Sequence, residues 1–178
     1  GISPIDMKKK VNPILEPNPK NEWENLCTLN PAVIEKNGKI HLIYRAIGHG
    51  RVSVLGYAKS NDGIKIDKRL NEPAYSHIIN MKSIPEKSFY QSGFGVAGCE
   101  DPRLTEIDED KKIYMTYNAF DGWIPRVALT SIKIKDFIKN KWNWETPVII
   151  SPPEQPHKNW IIFPEKIDDK YAILHSIV

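Results

Sequence analysis

Apolar and polar residues alternate in short runs along most of the chain. Clear cases are Ile40-His41-Leu42-Ile43-Tyr44-Arg45, Ser53-Val54-Leu55-Gly56-Tyr57-Ala58, Ile113-Tyr114-Met115-Thr116-Tyr117 and Arg126-Val127-Ala128-Leu129-Thr130-Ser131. A period of two is the mark of a strand with one face buried. Turn residues such as Asn37-Gly38 separate the runs and predict hairpins. Only Ile134 to Asn140 offers a turn or so of helix, ended by Trp142, Trp144 and Pro147.

The strands recur in a frame. Asn30-Pro31, Asp101-Pro102 and Phe163-Pro164 each open a short strand, a polar turn and an alternating strand, and the prolines lie 71 and then 62 residues apart. Ser60 and Ser131, after the next strands, repeat the 71-residue spacing. Repeats of short antiparallel strands predict an all-β fold built as blades of a β-propeller. Three starts give about three blades, whereas propellers close with four to eight. An unclosed ring exposes strand edges, so residues 1–178 are expected to be a single partial propeller domain, incomplete at its C-terminus.

Composition narrows the function classes. The 178 residues are 40% hydrophobic and 26% charged, with a net charge of +3, which suits a globular domain. No basic stripe interleaved with aromatics points to nucleic acid, and Lys8-Lys9-Lys10 reads as a solvated segment. No apolar stretch is long enough for a membrane span, and no signal peptide is visible, so a cytoplasmic location is expected. Gly1 in place of Met suggests a trimmed start, which leaves a periplasmic or secreted location open. Cys27 and Cys99 lack CxxC or His/Cys ligand spacing and are expected to be reduced, buried thiols, with no metal site.

Gly93-Phe94-Gly95-Val96-Ala97-Gly98 matches GxGxxG but runs into Cys99-Glu100-Asp101-Pro102 where a dinucleotide site needs a helix. Its glycines are better explained by a tight bend or a close backbone approach. Two long loops, Asn71 to Gly98 and Ser151 to His157, each precede an X-Pro strand start and are expected to lie on the functional face beside Asp101.

Glu100-Asp101-Pro102-Arg103 places two carboxylates and a guanidinium on consecutive residues. Proline disfavours helix before it, so Asp101 is expected to be extended and to start a strand. With Asn30-Pro31, Leu42-Ile43-Tyr44-Arg45-Ala46, Tyr57-Ala58-Lys59-Ser60-Asn61-Asp62-Gly63 and Phe163-Pro164-Glu165-Lys166 in order, the chain from about Asn12 onward resembles glycoside hydrolase family 130. That family comprises β-mannoside phosphorylases and hydrolytic relatives on five-bladed propellers.

The resemblance implies inverting phosphorolysis of β-mannosidic bonds to mannose 1-phosphate. It gives Asp101 the role of general acid, acting through a mannose hydroxyl, and places Asn30 and Arg45 at the sugar. Arg103 and Trp160 join them as sugar-binding candidates, Trp160 because tryptophan stacks on sugar faces. Phosphate, the co-substrate in place of any cofactor, needs cations, for which Arg126, Lys158 and His175 are the candidates. The partner is an oligosaccharide, and homo-oligomerisation stays open.

The chain departs from the phosphorylases at Leu174-His175-Ser176, where they carry Leu-His-Arg. An inverting hydrolase of β-mannosides is therefore an alternative. It needs a second carboxylate to activate water, and Glu165 is the nearest candidate by context. The third reading is a sugar-binding propeller remnant without catalysis.

Overall fold

Short turns between alternating runs produce the antiparallel ladders. The computed structural model describes residues 13–77 and 92–175. Strand β1 (Cys27–Lys36) pairs with β2 (Lys39–Ile47) across a two-residue turn. Its Asn37 and Gly38 both have positive φ, 54° and 66°, the backbone that a tight hairpin turn demands. β3 (Val52–Ser60) and β4 (Ile66–Arg69) complete a four-stranded meander.

A second meander repeats the plan. It contains β5 (Ala97–Ile107), β6 (Lys112–Phe120), β7 (Pro125–Lys133) and the short β8 (Val148–Ile149). Helix α1 (Ile134–Ile138) follows β7 at the predicted place and buries Phe137. A separate antiparallel pair follows, β9 (Ile161–Ile162) and β10 (Ile173–Leu174), with Ile162 opposite Ile173. The described architecture is thus mostly β, with two four-stranded meanders joined in one eight-stranded sheet and a separate two-stranded pair.

The units meet side by side. Their backbones join where β3 runs parallel to β5, at Val52 with Ala97 and Ser53 with Gly98, next to the hydrogen bond from the Val96 N–H to the Arg51 carbonyl. β1 lies beside β5. One core cluster spans both units, with Ile43, Leu55 and Tyr57 from the first and Met115, Tyr117 and Ile132 from the second. Tyr75, Trp142 and Trp144 pack on it from the loops. Each large apolar side chain so buried stabilises the fold by about 1.5–3 kcal/mol.

The X-Pro pairs differ from expectation in one respect. Asn30-Pro31 and Asp101-Pro102 lie inside β1 and β5 and do not start them. Both sit at a β-bulge, between Leu29 and Ala32 in one strand and between Glu100 and Arg103 in the other. Asn30 and Asp101 are not extended but left-handed, with φ of 42° and 49°. A bulge leaves its extra residue out of the ladder, so proline's missing N–H costs no hydrogen bond there. Asn and Asp are the side-chain-bearing residues that best tolerate that backbone.

Candidate functional site

The bulge of β5 turns Asp101 towards the seam between the units. Asn30, on the matching bulge of β1, donates from Nδ2 to Asp101 Oδ1 at 2.8 Å. Arg45 of β2 reaches the same oxygen from Nη1 at 3.4 Å. Asn118 of β6 approaches Oδ2 from Nδ2 at 3.4 Å. The Asn118 amide is itself oriented, because its Oδ1 accepts from the Asn159 N–H at 3.0 Å. Strands β1, β2 and β6 therefore converge on the carboxyl group that β5 presents.

Glu100 occupies the other side of Arg45. Its fully buried carboxylate accepts from Arg45 Nη2 at 2.9 Å and from the Ser92 hydroxyl, and Lys158 Nζ lies 3.5 Å from Oε2. Lys158 also donates to Ser92 Oγ at 2.7 Å. Burial pushes the Glu100 carboxyl above the usual carboxylate range, while Arg45, the Ser92 hydroxyl and Lys158 oppose that rise. Arg45 is held at further points, through Nε on Ser53 Oγ at 3.1 Å and Nη2 on the Ser92 carbonyl at 2.9 Å. Its guanidinium is almost fully buried and faces two carboxylates.

The glycine motif packs against this arrangement. A turn closed by Gly95 N–H on the Ser92 carbonyl lays the chain over Arg45. A Cβ at Gly95 would stand 2.6 Å from Ser53 Oγ and 2.7 Å from Arg45 Nη2. At Gly98, with φ of 111°, it would stand 2.1 Å from the Ser53 carbonyl oxygen. The motif thus serves close backbone approach, as its sequence context implied. Residues 78–91 of the preceding loop lie outside the described residues.

The structure brings Asn30, Arg45, Asp101 and Lys158 into one network. Other candidates lie elsewhere. Arg103 is exposed on β5 beyond the bulge. Arg126, on β7, lines a cleft with His77, Gly98, Phe120 and Asp121. Trp160 is buried, with ring centroids 5.4 Å from His157 and 4.8 Å from the exposed His175. Glu165 is exposed in the turn between β9 and β10, and Ser176 falls outside the described residues. Among the described residues, no three His, Cys, Asp or Glu side chains are grouped to hold a metal ion.

Sequence reasoning overlooked Glu100, Asn118, Ser92 and Ser53 as members of the network. A signal existed for one of them. Asn118 interrupts the run Tyr117-Asn118-Ala119-Phe120, and a buried amide in an apolar strand needs partners. Chemically, the site offers one carboxyl group fixed by amide and guanidinium donors, with a second, buried carboxylate between two cations.

Comparison with known proteins gives the same direction throughout. Residues 2–178 match the family model of glycoside hydrolase family 130, described as beta-1,4-mannooligosaccharide phosphorylase. The chain is 35% identical over 173 residues to a 1,2-beta-oligomannan phosphorylase of Thermoanaerobacter sp. (strain X514), covering 92% of this chain and 50% of that protein. It is 33% identical to a beta-1,2-mannobiose phosphorylase of the same organism, covering 92% of this chain and 51% of the relative. The chain thus spans about half the length of the curated relatives it matches. A crystal structure of a glycoside hydrolase-like protein from Parabacteroides distasonis superposes with a TM-score of 0.65 at 26% identity, over 93% of this chain and 50% of the other.

Proposed function

The chain belongs to glycoside hydrolase family 130, and from that premise we propose that the whole protein cleaves β-mannosides by inverting phosphorolysis, with β-1,2-linked mannooligosaccharides as substrates. The linkage follows the two Thermoanaerobacter relatives, whose names both specify it. The fold proposed for the whole is a five-bladed propeller, of which residues 1–178 supply about three blades. The observation that carries the reading is the fixation of Asp101 from both units by Asn30, Arg45 and Asn118.

In this reading Asp101 is the general acid. Its proton passes through a mannose hydroxyl to the glycosidic oxygen as the bond from that oxygen to the anomeric carbon breaks. A phosphate oxygen attacks the anomeric carbon from the opposite face, giving mannose 1-phosphate with inverted configuration. Phosphate is already an anionic nucleophile, so no second carboxylate is required to activate it. Asn30 and Arg45 orient both the sugar and the acid, with Arg103 and Trp160 as further sugar-binding candidates. Lys158, Arg126 and His175 are the cations proposed for phosphate, and Lys158 is already tied to the Asp101 network through Glu100. No cofactor enters the scheme.

Hydrolysis is the second reading, favoured by Ser176 where the phosphorylases it resembles carry arginine. Incubation of the full-length protein with β-1,2-mannobiose, with and without inorganic phosphate, separates the two. Phosphate-dependent release of mannose 1-phosphate is expected. Equal release of free mannose in both arms would establish hydrolysis, and no release from any β-mannobioside would overturn the enzymatic reading.

A further inference from the structure

The turn from Ser92 to Gly95 is tied down along its length, yet its apolar residue faces solvent. The Gly95 N–H closes the turn on the Ser92 carbonyl at 3.2 Å, and Gly93 supplies the positive φ, 57°, that such a turn takes at its second position. The Ser92 carbonyl also accepts from Arg45 Nη2 at 2.9 Å, while its hydroxyl donates to Glu100 and accepts from Lys158 Nζ at 2.7 Å. On the other side, Arg51 Nε donates to the Phe94 carbonyl at 2.9 Å, and the Val96 N–H returns to the Arg51 carbonyl at 2.8 Å. Phe94 itself keeps 58% of its surface exposed.

Turns favour small or polar residues, so a phenyl ring at this tip calls for a physical reason. Most of that ring is left in water, where an apolar group is costly. The backbone that carries it is already fixed, so binding a partner there costs little further ordering. Its place is equally telling. A Cβ on Gly93 would lie 3.9 Å from Arg45 Nη1, the nitrogen that reaches Asp101, and one on Gly95 would lie 2.7 Å from Nη2. Phe94 stands between these two glycines, on the turn that covers Arg45. Trp160, by contrast, is only 8% exposed and has His157 and His175 packed against its ring.

We propose that Phe94 is the aromatic platform on which a mannose ring of the substrate stacks beside Asp101. A β-mannoside suits such a ring. Its axial C–H bonds gather on one face of the pyranose, opposite the axial hydroxyl, and that face is apolar. The negative face of the phenyl group attracts those C–H bonds, and the contact removes apolar surface of both partners from water. An α-mannoside places its glycosidic oxygen on the same face, so the platform also selects the anomer. Phe94 has this role only if the Asp101 network holds the sugar, as in the proposed function, but stacking itself needs neither phosphate nor turnover.

The test is calorimetric titration of the full-length protein with β-1,2-mannobiose, without phosphate and on an Asp101→Asn background so that no cleavage intervenes. Steady-state kinetics of the same Phe94 variants with Asp101 intact accompany it. Phe94→Ala is expected to weaken mannobiose binding about 10-fold and to raise KM for mannobiose to match, with KM for phosphate and the melting temperature unchanged. Phe94→Tyr keeps an aromatic face and is expected to bind within about 2-fold of the Phe94 protein. Unchanged binding by Phe94→Ala would overturn the proposal. So would a loss that Phe94→Tyr does not recover, or one that comes with an equal rise in KM for phosphate. Mannobiose bound in proportion to the ring but never cleaved would sink the proposed function and leave the platform standing. A protein that binds no β-mannobiose would sink both.

Discussion

Asn30 and Asp101 are 71 residues apart in the chain and joined by a 2.8 Å hydrogen bond. Each precedes a proline, each occupies a β-bulge, and each has the left-handed backbone that lets its side chain face the seam between units. The repeat therefore builds the site directly, because equivalent positions in successive units face one another there.

Replacing Asp101 with Asn preserves the size of the group and an oxygen to accept from Asn30. Turnover by the full-length protein is expected to drop about 10²–10⁴-fold, the usual worth of a positioned acid. Thermal melting should stay near that of the parent. Near-normal turnover would remove Asp101 from the chemistry.

Asn30→Gly keeps the left-handed backbone at φ 42° without strain and deletes the donor to Asp101. Removing one partner of such a hydrogen bond costs about 1–3 kcal/mol. The expected consequence is a fall in kcat/KM of about 10- to 100-fold, measured against a melting temperature that changes little.

Gly95→Ala tests the glycine turn. The new methyl meets Ser53 Oγ and Arg45 Nη2, the ends of side chains that can yield, so the fold should survive at a cost of about 1–3 kcal/mol. Displacing Arg45 by a fraction of an ångström should lower kcat/KM about 10- to 100-fold. Unaltered kinetics would show that the position of Arg45 does not matter to turnover.

Stability should depend on His41. It is buried on β2 with Nδ1 2.8 Å from the Tyr57 hydroxyl, and burial lowers its titration below that of a free histidine. The unfolded chain then binds the proton first. This contribution to stability is full above the unfolded value, near pH 6.5, and is lost as pH falls through the lower folded one. Melting temperature should decline between about pH 7 and 5, and His41→Phe should flatten that part of the profile.

Glu24 anchors the segment ahead of β1. Its buried carboxylate accepts from the Tyr44 hydroxyl at 2.7 Å, Arg69 Nη2 at 2.7 Å and Asn21 Nδ2 at 2.6 Å. Glu24→Ala leaves three donors without their acceptor and is expected to destabilise the protein by about 2–4 kcal/mol in denaturant unfolding.

Much of this was legible in the sequence because repetition and turn chemistry are local or periodic. The Asn37-Gly38 hairpin, the strands that share the 71-residue spacing, and the resemblance carried by Glu100-Asp101-Pro102-Arg103 all needed no long-range geometry. The bulges were a different matter. A proline in a strand reads as a start, and nothing in Asp101-Pro102 by itself says that the ladder has already formed at Ala97. That extra residue decides which side chains face the seam, so the roles of Glu100 and Asn118 were hidden with it. Trp160 was singled out for a face suited to sugar, whereas its burial between two histidines depends on how the segments carrying His157 and His175 pack around it.

The two bulges also carry a lesson about symmetry. Repeating one unit gives the same slot twice, and a strict copy would fill both slots with the same group. Two acids there would repel across hydrogen-bond distance and hold one proton between them, while two amides would have none to give. The chain breaks its own symmetry by the difference between a carboxyl oxygen and an amide nitrogen. One slot becomes the donor that reads the other, and a duplicated backbone yields a single acidic group with its partner built in.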